Sequence, residues 1–333
     1  MKAICICGGG NLGLVCAAVF ASRGVRVNML TGHPADWNSD IRAIDREWRV
    51  YSGHVHLITD SPEAAVRGVD AVLLCVPGFR IEPVLRQIEP YVDKNIPVGS
   101  VVSSTGFFEF AGRILGEDAC LFGFQRVPYI ARATEYGKTG MLLGYKPLLC
   151  LSIENCRDPE SLRKELISLF NNPIRMLRNR YEASLTNSNP LLHTSRLYSL
   201  LSGRETKPLD NEVMFYADWT IEASRLLIAM DKEFMQLTSS LGIGRDAIPS
   251  ILEYYESTDA ESLTAKLQSI EAFKELKLPV VETERGLLPD YGSRYFTEDF
   301  RFGLRYIVEL AEKRGIPHPL MRRVYDWGLK LAI

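Results

Sequence analysis

Two groups of residues have types and spacing that could do chemistry. Near the N-terminus, Gly8-Gly9-Gly10-Asn11-Leu12-Gly13 contains the spacing G-x-G-x-x-G. There the first glycine allows a tight turn, the second lets backbone approach a pyrophosphate, and the third lets a helix pack closely on a strand. In the second half, His193 stands in Ser188-Asn189-Pro190-Leu191-Leu192-His193. Arg294, Glu298 and Asp299 fall within Asp290 to Gly303. Histidine changes charge near neutral pH and can manage the proton that accompanies a hydride transfer. A carboxylate such as Asp299 can orient the imidazole and stabilise its charged form, as a triad does for its base. The guanidinium of Arg294 is a planar fork of donors suited to a substrate carboxylate. Plainer explanations stand beside these. A lone histidine is more often structural. Thr297-Glu298-Asp299 before an apolar helix also makes a good N-terminus, with Thr297 as N-cap, both acids in the first turn and Gly315 closing the helix.

The elements that must position these residues follow from the apolar pattern. Ala3 to Cys7 is a continuous apolar run, as in a strand buried on both faces. A small-residue helix from Leu14 to Arg23, ended by Gly24, and a second strand from Val25 to Leu30 come next. A glycine fingerprint between a first strand and a helix opens a dinucleotide-binding Rossmann unit, with the phosphates at the helix N-terminus. Gly8, Gly10, Asn11, Leu12 and Gly13 are its candidate cofactor contacts. The second strand ends in Met29-Leu30-Thr31-Gly32-His33, without the acid that commonly takes the ribose hydroxyls. Thr31 is the candidate ribose contact, and the absence of a repelling carboxylate favours NADP, with NAD as the alternative.

Further strands are expected at 56–58, 70–76 and 98–103, with helices around 62–67 and 81–91, giving a doubly wound parallel sheet. Val76 and Pro77, and the segment Ser104-Thr105-Gly106, end strands where such sheets bind ligands, and should border the nicotinamide. Residues 121–154 read as extended chain with turns, strands being expected at 122–125 and 148–153. Domain boundaries are set at 1–182 for the dinucleotide-binding domain and 183–333 for an all-helical substrate domain. In the latter, Asn189 is read as a cap and a substrate contact, with Pro190 opening the helix that carries His193. Long helices are expected over 210–241 and 246–255, and from Thr297 to Arg314. The first of these offers a surface for a homodimer, or simply buries its apolar face in its own domain.

Bulk properties narrow the class. Of 333 residues, 46% are hydrophobic and 24% charged, and the formal net charge is −2, an ordinary globular composition long enough for two domains. That balance gives no electrostatic reason to expect nucleic acid or an anionic membrane as partner. The glycines at 8–10 break the only stretch resembling a signal peptide, and no apolar run is long enough to span a bilayer, so a cytoplasmic location is expected. Seven scattered cysteines form no C-x-x-C pair, and are read as reduced buried thiols, with Cys5 and Cys7 on one strand face. No metal site is expected.

The chain resembles the opine dehydrogenases of octopine/nopaline type, relatives in architecture of the ketopantoate reductases. The resemblance runs nearly end to end. It rests on the Gly8–Gly13 fingerprint, Pro128-Tyr-Ile-Ala-Arg132, Asn189-Pro-x-x-His193, Asp231-Lys-Glu233 before Leu241-Gly-Ile243, and Arg294-Tyr-x-Thr-Glu-Asp299 followed by Phe302-Gly-Leu304. It implies that His193 is the acid/base residue, Asp299 its partner and Arg294 a carboxylate clamp. The implied reaction is reductive condensation of an amino acid amine with a 2-oxo acid through an imine. The nucleophilic amine must be neutral, so condensation should favour alkaline pH. The rivals are a ketopantoate-reductase-like enzyme reducing the 2-oxo acid directly, and a nucleotide-binding sensor without catalysis.

Overall fold

A computed structural model describes residues 1–104 and 106–331. Thr105, expected near the nicotinamide, lies outside the described residues. The chain divides into two compact units, Met1–Ser184 and Leu185–Ile333.

The first unit is built on an eight-stranded sheet. Its strand order is Ile174–Met176, Leu149–Glu154, Leu121–Phe124, Val98–Ser100, Ala71–Leu74, Ala3–Cys7, Arg26–Leu30 and Leu57–Thr59. The six strands from Leu121–Phe124 to Leu57–Thr59 run parallel. Leu149–Glu154 pairs antiparallel with Leu121–Phe124 and parallel with Ile174–Met176, so the last two strands reverse the direction expected from the sequence. Ala3–Cys7 is buried along its whole length because strands flank it on both sides and helices cover both faces. Cys5 and Cys7 do share one face, their sulfurs 3.8 Å apart.

A second, four-stranded sheet was not foreseen. It joins Val50–His54, Asp40–Asp45, Thr139–Tyr145 and Tyr129–Glu135 in that order. The helix Asn11–Ala21 is buried from Gly13 to Phe20 because this sheet covers the side turned away from the large sheet. A side chain at Gly140 would stand 2.9 Å from Val15, and one at Gly53 would stand 2.5 Å from Ala21. An all-apolar helix needs such a cover on every side.

The second unit is helical apart from a hairpin, Val280–Thr283 with Gly286–Pro289. Its principal helices are Asn189–Leu201, Ile221–Ser240, Ala260–Ser269, Arg305–Lys313 and Pro319–Leu331, with a π-helix over Tyr295–Leu304. The helix expected from residue 210 begins only at Ile221, where the Thr220 hydroxyl accepts from the Ala223 amide. Residues 210–220 cannot join it, since the Phe215 carbonyl is taken by the Arg196 guanidinium and the Met214 amide by the Asp218 carboxylate. The helix expected over 246–255 shrinks to Ile251–Tyr254, started by a capping box between Ser250 and Glu253 just after Pro249. No helix among the described residues is long and apolar enough to cross a membrane.

Candidate active site

In the first unit the glycine loop has the geometry that a dinucleotide needs. Gly8 has φ +112°, and a side chain there would press on Val76 and the Cys75 carbonyl. A Cβ on Gly13 would lie 1.8 Å from the Gly8 carbonyl oxygen, so only glycine lets the helix start this close to the strand. Gly10 differs from both: its φ of −77° is ordinary, and no atom lies within 4 Å of where its Cβ would stand. The loop thus presents bare backbone to open space, at a helix start with no side-chain cap and no acid in its first turn. Its first amides are free to meet a phosphate. These features fit a pyrophosphate.

The other expected cofactor residues fall around this loop. Val76 packs on Gly8 and Pro77 follows it, exposed, as the N-cap of the helix Gly78–Ile88. Leu12 is half-buried in the first helical turn. The Asn11 side-chain oxygen is committed elsewhere, accepting from the Ala133 amide at 2.8 Å. Thr31 is buried against Gly9, its hydroxyl 3.3 Å from that of Tyr136. Tyr136 and Trp37, which line this corner, were not singled out in the sequence, because both lie in turns outside the strand-helix rhythm.

The second unit brings His193 and Asp299 together. His193 Nδ1 lies 2.8 Å from Asp299 Oδ2, both side chains mostly buried. The two helices that carry them run in opposite directions. Pro190 meets Gly303, whose Cβ would stand 2.6 Å from the proline ring, and about one turn away His193 meets Asp299. The Asn-Pro-x-x-His and Asp-x-x-x-Gly spacings are therefore two halves of one packing contact. Pro190 does stand at the helix start, but the cap is Ser188 and not Asn189, which is the exposed first helical residue. His193 is the fifth residue of that helix, one past its first turn.

Asp299 sits inside the π-helix rather than in the first turn of an α-helix. Thr297 is not an N-cap: its hydroxyl donates back to the Ser293 carbonyl at 3.1 Å, as happens once helical turns have already begun. Gly315, at φ +66°, does follow the end of the next helix, Arg305–Lys313. Arg294 precedes the π-helix. It is exposed and makes no hydrogen bond or ion pair among the described residues.

Tyr216 completes the site and was missed. Its hydroxyl lies 2.9 Å from His193 Nε2. Burial pushes its phenol well above the ordinary tyrosine range. Its neighbours Phe215 and Trp219 are buried in the core, and nothing in an apolar run marks one hydroxyl as polar in function. Tyr295 closes another side, edge-on to the imidazole at 4.7 Å and stacked on Phe215 at 4.6 Å. The arrangement is an imidazole between a carboxyl oxygen and a phenol oxygen, walled by aromatic rings. It can move one proton.

A glycine loop that fits a pyrophosphate in one unit and a histidine hydrogen-bonded to a carboxylate in the other are parts that a dinucleotide-dependent dehydrogenase needs. Comparison with known proteins agrees. Residues 176–332 match the family described as NAD/NADP octopine/nopaline dehydrogenase, alpha-helical domain, and residues 4–128 match ketopantoate reductase PanE/ApbA. The octopine dehydrogenase of Mizuhopecten yessoensis is 27% identical, covering 98% of this chain and 88% of that one. A solved structure of octopine dehydrogenase with NADH and L-arginine superposes with a TM-score of 0.87 at 25% identity, covering 99% of this chain and 89% of the other. A PanE/ApbA-family ketopantoate reductase from Ralstonia eutropha JMP134 shares the fold at a TM-score of 0.65 and 14% identity, covering 99% and 98% of the two chains. Residues 176–332 thus match the helical domain of octopine/nopaline dehydrogenases, and along nearly its whole length the chain is similar to opine dehydrogenases; it is an NAD(P)-dependent oxidoreductase.

Proposed function

We propose that this enzyme condenses the amine of an amino acid with a 2-oxo acid and reduces the resulting imine, residues 1–182 holding the cofactor and 183–333 the substrates. The observation that carries the reading is the 2.8 Å contact between His193 Nδ1 and Asp299. It fixes the tautomer that leaves Nε2 basic.

A nicotinamide cofactor on the glycine loop supplies hydride. The backbone from Gly8 to Gly13 would hold its pyrophosphate, the Thr31 corner its ribose, and Val76 and Pro77 would border its nicotinamide end. His193 takes a proton from the amino acid's ammonium, freeing the lone pair that attacks the carbonyl. It returns that proton to the hydroxyl that departs as water, so one proton serves both steps. Asp299 stabilises the imidazolium in between. Arg294, exposed and unengaged among the described residues, pairs with the carboxylate of the oxo acid, and the exposed amide of Asn189 adds a donor at the start of the His193 helix.

NADPH is the proposed reductant. The second strand is followed by no carboxylate until Asp36, in a separate turn, so no acid stands at the strand end itself to repel a 2′-phosphate. The NADH-bound octopine dehydrogenase supports the alternative. A cytoplasmic setting, with its pool of reduced nicotinamide, suits either.

The test follows NADPH and NADH oxidation with pyruvate alone, then with L-arginine and a panel of other amino acids added. Turnover should need an amino acid, and kcat/KM should be higher with NADPH. Oxidation at full rate by the oxo acid alone would instead identify a direct 2-oxo acid reductase.

A further inference from the structure

The two nitrogens of His193 are both engaged. Nδ1 faces Asp299, and Nε2, the only ring atom left to exchange a proton, faces the Tyr216 hydroxyl at 2.9 Å. With Nδ1–H donating to the carboxylate, the Nε2 lone pair accepts from the phenol.

Tyr216 is not placed to swing aside. Its ring stacks on Phe273 at 4.7 Å and on Trp219 at 6.1 Å, with Phe215 edge-on at 5.2 Å. Its backbone is pinned as well. Arg196, 1% exposed and one turn beyond His193 on the same helix, donates to the carbonyls of Phe215 at 3.3 Å and Asp218 at 2.6 Å. The Phe215 amide donates to the Leu276 carbonyl at 2.7 Å. One helix therefore places the histidine and clamps the loop that carries the phenol. A buried arginine whose hydrogen bonds, among the described residues, go to backbone carbonyls is costly to keep, and its use here is to hold that loop.

We propose that the Tyr216 hydroxyl is a catalytic relay through which His193 Nε2 gains and loses protons. This rests on His193 being the acid/base residue of the proposed reaction. In the step, a proton from the amino acid's ammonium arrives on the phenol oxygen while the phenol's own proton passes to Nε2. The products are a neutral amine, a neutral phenol and an imidazolium beside Asp299. The reverse shift delivers a proton to the departing hydroxyl, releasing water and restoring the neutral imidazole. Tyr216 carries no charge at either end of the step. The ionisable groups whose charge reaches it, Tyr295, Tyr255 and Asp299, all favour its neutral form, as does burial.

The experiment compares wild type, Tyr216→Phe and His193→Ala, using NADPH, pyruvate and whichever amino acid of the panel turns over fastest. The phenylalanine keeps the stacked ring and loses only the hydroxyl. Expected for Tyr216→Phe is a kcat lower by about tenfold to a hundredfold, with KM, NADPH affinity and melting temperature near wild type. The dependence of kcat on D2O fraction should be curved in wild type, where two protons move, and linear in the variant. Unchanged kcat and curvature in Tyr216→Phe, with His193→Ala inactive, would overturn the relay alone. A loss of kcat that tracks a lowered melting temperature while the curvature persists would make Tyr216 structural, and also overturn it. Full activity in His193→Ala would remove the underlying reading of the site.

Discussion

At the scale of single residues, the proposed mechanism makes the histidine and its carboxylate unequal. His193→Ala removes the group that carries the proton, so kcat should fall on the order of a hundredfold or more, with cofactor affinity intact. Asp299→Asn keeps the size of the side chain, but an amide can also donate to Nδ1, which favours the wrong tautomer. A comparable fall in kcat is expected, with little change in melting temperature; equal activity would mean that Asp299 only fills space. For Arg294→Ala the loss should appear in kcat/KM for the oxo acid. Arg294 makes no internal bond among the described residues, so its removal should not lower the melting temperature. His193, Asp299 and Arg294 were legible in the sequence because their side chains are rare or charged in an otherwise apolar context. Tyr216 was not, since a tyrosine between Phe215 and Trp219 has the same pattern whether its hydroxyl meets a histidine or water.

At the scale of elements, the π-helix is what the sequence concealed. Thr297-Glu298-Asp299 has the composition of an α-helical N-terminus, yet turns begin at Tyr295 and Asp299 is carried into the body of the element. π-Helical turns are rare and occur mostly at functional sites. Local propensity does not distinguish them from α-turns, and here the contact of Gly303 with Pro190 fixes the placement. Gly303→Ala should press a methyl group against the proline ring, costing about 1–3 kcal/mol and pushing the two helices apart. Both melting temperature and kcat should fall, because the His193–Asp299 bond spans the same contact; a lower melting temperature with unchanged kcat would show that the bond does not depend on that packing.

The Asp231-Lys-Glu233 motif also works at this scale. Glu233 accepts from the Leu320 and Met321 amides at 2.9 Å each, and Asp231 accepts from the Ile251 amide at 3.0 Å, so both acids receive the starts of other helices. Burial outweighs the Ile251 bond and raises the Asp231 carboxyl to about 6, Glu253 adding to the rise and Arg245 opposing it. In the unfolded chain the group titrates near 3.9. Between those values the folded state holds a proton that the unfolded state has released, so this group's contribution falls as pH rises from about 4 to about 6. The loss is on the order of 3 kcal/mol at most. Asp231→Asn keeps an acceptor for Ile251 and removes the titration. In urea unfolding it should gain stability relative to wild type between pH 4 and pH 7, and a difference independent of pH would contradict the assignment.

At the scale of the molecule, the strand-helix rhythm made the large sheet legible, but the four-stranded sheet over the first helix was not. Its strands come from distant stretches, Asp40–Asp45 pairing parallel with Thr139–Tyr145, and no local pattern records such a pairing. The unbroken apolar run from Leu14 to Phe20 was the available signal, since a helix apolar on every side needs a second cover. The division into two compact units, each with one half of the proposed chemistry, should make cofactor binding and proton transfer separable by mutation. Gly10 is the place to test this. Its backbone conformation is open to any residue and its Cβ position is empty to 4 Å, so Gly10→Val should leave the melting temperature of the cofactor-free protein unchanged. The same side chain would stand where a pyrophosphate must approach the helix start, and NADPH affinity should fall by at least about a hundredfold, the scale of a few kcal/mol for displaced phosphate contacts. Bound NADPH should raise the melting temperature of wild type and of His193→Ala alike, but not that of Gly10→Val. If Gly10→Val instead bound NADPH normally, the pyrophosphate would not cross this glycine and the cofactor assignment of the whole loop would fall, whatever His193 does.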